Sequence, residues 1–306
     1  MSGIVLLDKP AGLSSNRALQ RVRHALRAAK AGHAGTLDPM ATGMLPLCFG
    51  QATKTCGRVL SGSKAYRARL RLGTATDTGD ALGRATVRAE VPAFGAADVE
   101  RVLAGLRGSI EQTPPMVSAL KLRGERLYEL ARRGESVPRA ARRIEVHRLD
   151  LLALGSDELE LELECSKGTY VRVLGEDIAA GLRTVGHLTA LRRLWVAPFE
   201  SEAMVSLDEI AAWEATGAAL EPPPGWLLPV ARALEGLPRV DLDAADSAAV
   251  RHGGSVGAVA ELTPGATACA YDAAGALLGL LTVGSDRRLH VLRLLVDPEP
   301  AARPAT

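Results

Sequence analysis

Gly32-His33-Ala34-Gly35-Thr36-Leu37-Asp38-Pro39-Met40-Ala41-Thr42-Gly43 is the most informative stretch of the chain. Its glycines permit tight turns and a close approach of backbone to a ligand. Asp38 precedes Pro39, whose ring biases the residue before it away from helix. A carboxylate on such a loop is presented to its surroundings rather than wound into a helix. An isolated Asp-Pro is ordinarily an Asx-type turn and nothing more. The weight given to this one comes from the segments on either side of it.

Upstream, Gly3 to Leu7 read as a short buried strand, closed by Asp8-Lys9-Pro10 and a turn at Gly12. Ser14 or Ser15 caps a helix expected to reach Ala29. Its apolar face is Ala18, Leu19, Val22 and Leu26, and it also carries Arg17, Arg21, Arg23, Arg27 and Lys30. Downstream, Lys64 to Gly73 alternate as a strand does, Ala97 to Leu106 suit a helix, and Pro114-Pro115 break the chain. Arg126 to Arg133 and Val171 to Leu182 read as helices, and Ile144 to Leu154 and Leu188 to Val196 as strands. Glu158 to Cys165 alternate acid and Leu with period two, the pattern of a sheet with one wet face. Strands and helices in mixed order predict an α+β fold.

A composition shift at Glu221-Pro222-Pro223-Pro224-Gly225 separates a large first domain, residues 1–225, from a small one, residues 238–297. The second shows Ala266 to Tyr271, Leu277 to Val283 and Leu289 to Val296 as short strands between turns, and the tail from Pro298 to Thr306 is expected to be disordered. A chain of 306 residues with 47% apolar content has enough material for a sizeable core. The net charge of +2 does not by itself announce a nucleic-acid partner. Arg outnumbers Lys heavily, which suits bidentate phosphate contacts but equally reflects a GC-rich coding bias. Cys48, Cys56, Cys165 and Cys269 form no C-x-x-C pair and no zinc-spaced cluster with His, so a reduced cytosolic protein without structural zinc is expected. The N-terminus shows no basic n-region followed by a long apolar stretch, so no signal peptide is expected, and no run of about eighteen apolar residues suggests a membrane span.

The loop string is similar to the signature of the TruB-type tRNA pseudouridine synthases, Gly-His-x-Gly-x-Leu-Asp-Pro. Four further segments resemble that family in the same order. They are Leu7-Asp8-Lys9-Pro10-Ala11-Gly12-Leu13-Ser14-Ser15; Lys64-Ala65-Tyr66 with Gly73-Thr74-Ala75-Thr76-Asp77-Thr78; Cys165-Ser166-Lys167-Gly168-Thr169-Tyr170-Val171-Arg172; and Leu191-Arg192-Arg193-Leu194. Together they cover roughly residues 3 to 199. The resemblance implies a pseudouridine synthase fold, a mixed and largely antiparallel sheet with flanking helices. A small β-rich PUA-like domain would follow it.

Carried over position by position, the resemblance makes Asp38 the catalytic carboxylate and requires no cofactor and no metal. Arg172 is its expected counter-charge, able to pair with it bidentately. Tyr66 would pack against the flipped uracil, with its hydroxyl available for proton transfer, and Tyr170 and Leu191 would line the same pocket. His33 would fill the gap that the target nucleotide leaves in its stack, offsetting part of a cost of a few kcal/mol. Lys9 and Pro10 read as scaffold for the loop. The implied substrate is uridine 55 in the T-loop of tRNA.

Charge patterning fits an RNA partner. Between Lys121 and Arg148 stand nine basic residues, Lys121, Arg123, Arg126, Arg132, Arg133, Arg139, Arg142, Arg143 and Arg148, against four acidic ones. This segment, about 113–148, resembles the family's thumb, an insertion that closes over the T-loop and stem. Such a grip argues for a stand-alone enzyme without a guide RNA, and nothing demands more than a monomer. A tRNA-binding or tRNA-folding protein without turnover is the alternative; loss of Asp38, Tyr66 or Arg172 would have signalled it, and all three are present. Asp77-Thr78-Gly79 matches the triplet of aspartic proteases, but one triplet supplies only one of the two carboxylates such an enzyme needs. The chain carries no Gly-x-Ser-x-Gly elbow and no Walker A string.

Overall fold

The computed structural model describes residues 1–118, 120–122, 124–217, 222–257 and 261–296. Arg123, Glu221 and the tail from Pro298 lie outside the described residues.

The alternation of acid and Leu in Glu158–Cys165 fixes the centre of the sheet. Leu159, Leu161, Leu163 and Cys165 are buried, so the strand has one dry face. Its neighbour Lys64–Leu72 runs antiparallel in a register that sets Glu162 opposite Arg67, Glu160 opposite Arg69 and Glu158 opposite Arg71. All three pairs form ion pairs, at 2.9, 3.6 and 3.1 Å. A slip of one residue would turn every Leu to water and every Glu into the core. The exposed ion pairs add only about 0–1 kcal/mol each, so burial sets the register and charge reinforces it.

On its other edge Lys64–Leu72 pairs antiparallel with Gly186–Val196. That strand in turn meets Thr42–Phe49 in parallel, through Arg192 opposite Thr42 and Arg193 opposite Gly43. Thr42–Phe49 pairs antiparallel with Gly3–Lys9 and with the short Ala31–His33. The sheet extends on the far side through Arg142–Leu154 and Gly108–Gln112 and at the near edge through Val205–Ser206, parallel to Gly3–Lys9, giving nine largely antiparallel strands among the described residues. The helices Ser15–Ala25, Ala96–Leu106 and Val171–Gly181 press Leu19, Val22, Leu103, Leu174 and Ile178 into the main core. The α+β reading holds.

Boundaries differ in instructive places. The first helix ends at Ala25 rather than Ala29, because Arg27 adopts a left-handed φ of 47°. The Arg23 side chain then donates to the carbonyls of Ala28 and Ala29, both at 3.0 Å, satisfying groups that a continued helix would have paired. Thr42–Phe49 and Gly108–Gln112 are strands that the sequence pattern does not mark. The first is buried on both faces, so it lacks the period-two alternation by which strands are recognised.

The C-terminal part is a five-stranded sheet in the order Arg239–Asp241, Thr267–Tyr271, Leu277–Val283, Arg288–Leu294, Val256–Gly257, with its own core around Val250, Leu278 and Leu281. A helix Ala244–Arg251, capped by Asp243, packs on it and was not expected. Lys54 Nζ donates to Leu294 O at 2.8 Å, fastening this sheet to the larger part, and Arg58 donates to Glu235 O, in the segment that leads into the sheet, at 3.2 Å.

Candidate active site

The Asp38 loop is fastened from three directions. Ser15, at the start of the first helix, accepts from Leu37 N at 2.8 Å and donates to Leu37 O at 3.1 Å. Gly12 N donates to Pro39 O at 2.8 Å, and the fully buried Lys9 ammonium donates to Pro10 O and Leu13 O at 2.8 Å and to Pro39 O at 3.5 Å. Arg193, also buried, donates from Nε to Met44 O at 2.7 Å and from Nη2 to Gly35 O at 3.2 Å. Two glycines make this close approach sterically feasible. Gly43 has φ 96°, and a Cβ there would sit 2.1 Å from the Arg193 carbonyl oxygen; Gly35 has φ 101° and lies against the guanidinium. Lys9 therefore occupies the scaffold position read from the sequence.

Across the loop stands Arg172, on the first turn of Val171–Gly181. Its Nε lies 2.9 Å from Asp38 Oδ2, and its Nη2 donates to Asp38 Oδ1 at 3.2 Å. The same guanidinium donates to Thr78 O at 2.6 Å and to Val117 O at 2.8 Å. Its side chain is 4% exposed, whereas that of Asp38 is 32% exposed. The cation is thus sealed beneath, and the carboxylate opens on one side. The Asp77-Thr78-Gly79 triplet serves here as a turn that offers the Thr78 carbonyl to Arg172. Next to it, Asp80 Oδ1 accepts from Thr78 Oγ1 at 2.7 Å and from Leu82 N at 3.0 Å.

The opening leads into a cleft of about 650 Å³, lined by Asp38, Tyr66, Tyr170, Arg172 and Leu191, with Lys64, Arg142, Arg143 and Lys167 among its cationic lining residues. That volume suits a small organic ligand or a nucleoside. Five of the six residues singled out from the sequence therefore meet. His33 is not among the lining residues; it ends the short strand Ala31–His33 opposite Leu47, half-buried, and its Nδ1 is buried without a hydrogen-bond partner among the described residues. Three residues with no role assigned from the sequence join the arrangement. They are Arg193, Asp80 and Gln112, whose amide accepts from Tyr170 N at 2.7 Å and donates to Tyr170 O at 3.2 Å. Arg193 lies inside a quoted motif, but Gln112 and Asp80 carry no local pattern that marks them.

Electrostatics follow from this enclosure. Burial pushes the Asp38 carboxyl above the ordinary carboxylate value; Arg172 and Lys9 pull it back, and Asp80 adds to the rise. A carboxylate whose folded pKa exceeds its unfolded value costs stability once ionised, a cost relieved as pH falls through the folded pKa. A group held against the stability of the fold is a candidate for chemistry. Burial lowers Lys9 and Lys64 to about 8 each, and burial raises the Tyr66 phenol, which stays protonated at neutral pH. Burial, then Arg193 and Arg126, lower His33 and favour its neutral form. Chemistry that needs the Asp38 carboxylate should therefore show an acid limb with a midpoint above the ordinary ~3.9. Single-turnover rates between roughly pH 4 and 8 test this, and a midpoint at or below that value would contradict it.

The chain that builds this bidentate Asp–Arg pair beside a cationic cleft has relatives among known proteins. Residues 23–171 match the TruB family pseudouridylate synthase (N terminal domain), and residues 172–235 match the tRNA pseudouridylate synthase B C-terminal domain. The tRNA pseudouridine synthase B of Chromohalobacter salexigens is 47% identical over 296 residues, covering 96% of this chain and 94% of that protein. The chain belongs to the TruB family of pseudouridylate synthases. The enzyme of the same name from Xanthomonas campestris pv. campestris is 45% identical over 302 residues, covering 99% and 96% of the two chains. Among solved structures, that of a Cbf5-Nop10-Gar1 complex is similar with a TM-score of 0.73 at 24% identity, covering 97% of this chain and 86% of the other. That likeness bears on the fold alone, a pseudouridine synthase fold with a small β-rich, PUA-like C-terminal domain. Among the described residues, no helix is long and apolar enough to cross a membrane.

Proposed function

We propose that this TruB-family protein isomerises uridine 55 in the T-loop of tRNA to pseudouridine, with Asp38 as the catalytic carboxylate. The bidentate Asp38–Arg172 pair at the mouth of the cleft is the observation that carries this reading. The reaction breaks the bond from ribose C1′ to N1 of uracil and makes one from C1′ to C5. The electron pair leaves with N1, and the pair at C5 forms the new bond. C5 then gives up its proton and N1 gains one. Atoms and electrons balance without an oxidant or co-substrate, so the protein's task is to expose the base, start the cleavage and move one proton.

Each wall of the cleft has a place in that task. Asp38 stays ionised against burial because Arg172 faces it, and it starts cleavage at the ribose. Tyr66 and Leu191 confine the turning uracil, and the Tyr66 hydroxyl is placed to relay the C5 proton, releasing its own proton as it accepts that one. Tyr170, clamped by Gln112, forms the opposite wall. His33 takes up the space vacated in the RNA stack, from its position outside the cleft lining. Residues 1–225 form the catalytic domain and residues 238–297 the PUA-like RNA-binding domain. The enzyme works alone in the cytoplasm as a monomer, without guide RNA, because it carries its own thumb at about 113–148.

The thumb's charges are not equivalent. Arg133 is tied to Glu125 at 3.0 Å and to Glu135 at 2.6 Å, and Arg148 to Asp150 and Glu162, both at 2.7 Å. Arg139, Arg142 and Arg143 form no salt bridge with a described residue, and the Arg132 side chain lies outside the described residues. Of the paired arginines Arg132-Arg133 and Arg142-Arg143 that charge alone would assign to phosphate, Arg133 is therefore set aside. Replacing Arg142 and Arg143 by Gln should weaken tRNA binding and flatten the slope of log affinity against log salt by about 0.7–0.9 for each phosphate no longer neutralised. Arg133→Gln should leave that slope within error. Filter binding across a KCl series measures both, and equal slopes for all three proteins would remove the thumb from the phosphate grip.

The direct test of the function is carbodiimide primer extension on an unmodified tRNA transcript. A new stop at the T-loop uridine is expected. Tight binding without any stop would favour the tRNA-binding protein without turnover.

A further inference from the structure

From Lys9 to Leu37 the chain carries six Lys and Arg residues and not one Asp or Glu. Arg17, Arg21, Arg27 and Lys30 from this stretch are exposed, and none forms a salt bridge with a described residue. Some exposed arginines elsewhere face carboxylates, as Arg67 does Glu162, Arg71 does Asp157 and Glu158, and Arg101 does Asp98, while others, Arg88, Arg142, Arg143 and Arg183 among them, form no salt bridge with a described residue. What sets this stretch apart is that its unpaired cations stand in a run of sequence without a single carboxylate to compete with a phosphate for them.

The helix is fastened to the catalytic loop by the reciprocal Ser15–Leu37 hydrogen bonds, so a polyanion held on it is held in fixed relation to Asp38. Beside it runs an open groove of about 520 Å³, lined by Arg17, Arg21 and His24 on one side and by the helix Leu207–Ala215 on the other. Asp208 and Glu214 are the acidic groups on that far wall, and neither pairs with the arginines. The groove shares no lining residue with the Asp38 cleft.

We infer that the exposed face of Ser15–Ala25, with Arg17, Arg21 and the adjoining Arg27, is a second phosphate-binding surface for the RNA substrate, separate from the thumb. This rests on the tRNA reading above. Guanidinium groups without carboxylate partners release counterions when they meet phosphates, whereas paired ones must first break an ion pair.

The experiment compares wild type with the triple variants R17Q/R21Q/R27Q and R17K/R21K/R27K, binding an unmodified tRNA transcript over roughly 50–300 mM KCl. The Gln variant should bind about tenfold or more weakly at low salt, with a slope flatter by about two, and its melting temperature should be unchanged because the side chains are exposed. The Lys variant should keep most of the slope. Arg183→Gln, beyond the far end of the helix that carries Arg172, is the control and should alter neither. An unchanged affinity and slope in the Gln variant overturns the inference, as does an equal loss in the Lys variant. If wild type forms pseudouridine while the Gln variant binds normally, only this surface fails; a wild type without affinity for tRNA overturns the reading beneath it as well.

Discussion

Asp38→Ala and Asp38→Asn should both abolish pseudouridine formation while leaving tRNA affinity within about threefold. Loss of a group that initiates bond cleavage typically removes roughly four to six orders of magnitude of rate, enough to reach background in a primer-extension assay. Binding should survive because the positive charges we propose to grip phosphate lie elsewhere, on Arg142, Arg143 and the first helix. The fold should survive too. Asn preserves the shape of Asp38 and Arg172 keeps the carbonyls of Thr78 and Val117, but the buried guanidinium loses its counter-charge, so both variants should fold with a lowered melting temperature and are assayed well below it. Asn cannot substitute chemically, since an amide is a poor nucleophile and a poor base at neutral pH. Gel-based detection of the T-loop stop, alongside filter binding of the same transcript, separates the two effects. Normal product formation by either variant would remove Asp38 from its assigned role.

Much of this site was legible in the sequence because its residues lie in short, dense strings. Gly32 to Gly43 carries both the carboxylate and the glycines that let Arg193 approach, and Tyr66 falls on a strand whose alternation is plain. The strongly amphipathic strand Glu158–Cys165 made the centre of the sheet readable. What escaped the sequence was set by tertiary contact. Thr42–Phe49 is buried on both faces and so has no alternation to detect. Gln112 clamps Tyr170 across 58 positions of chain, and Asp80 influences Asp38 only once the turn after Gly73 folds beside Arg172. Charge counting in the thumb also treats all arginines alike. Which ones are free for RNA depends on where Glu125, Glu135 and Glu162 fall in space, which a count does not reveal.

Arg172→Met should damage both stability and chemistry, and the two effects have separable signatures. The guanidinium satisfies both Asp38 oxygens and two backbone carbonyls while almost fully buried. Removing one partner of such a pair leaves the other desolvated and unmatched, which costs about 3–5 kcal/mol. For the rate, the sign follows from what holds Asp38 ionised. Burial raises its pKa, and Arg172 is the largest influence in the opposite direction. Without Arg172 the folded pKa must rise further, so residual activity should show its acid limb at higher pH than wild type. Raising the pH should then recover part of the lost rate. Arg172→Lys restores a charge but not the planar fork, so it cannot serve two carboxylate oxygens and two carbonyls at once. It should therefore fall between wild type and Met in melting temperature and in the position of the acid limb. A merely structural arginine would lower the melting temperature of both variants and leave the midpoint of the pH profile in place. Single-turnover rates across pH, taken well below each variant's melting temperature, decide between the two, and an unmoved midpoint in Arg172→Met would mean that Asp38 is held ionised by something other than Arg172.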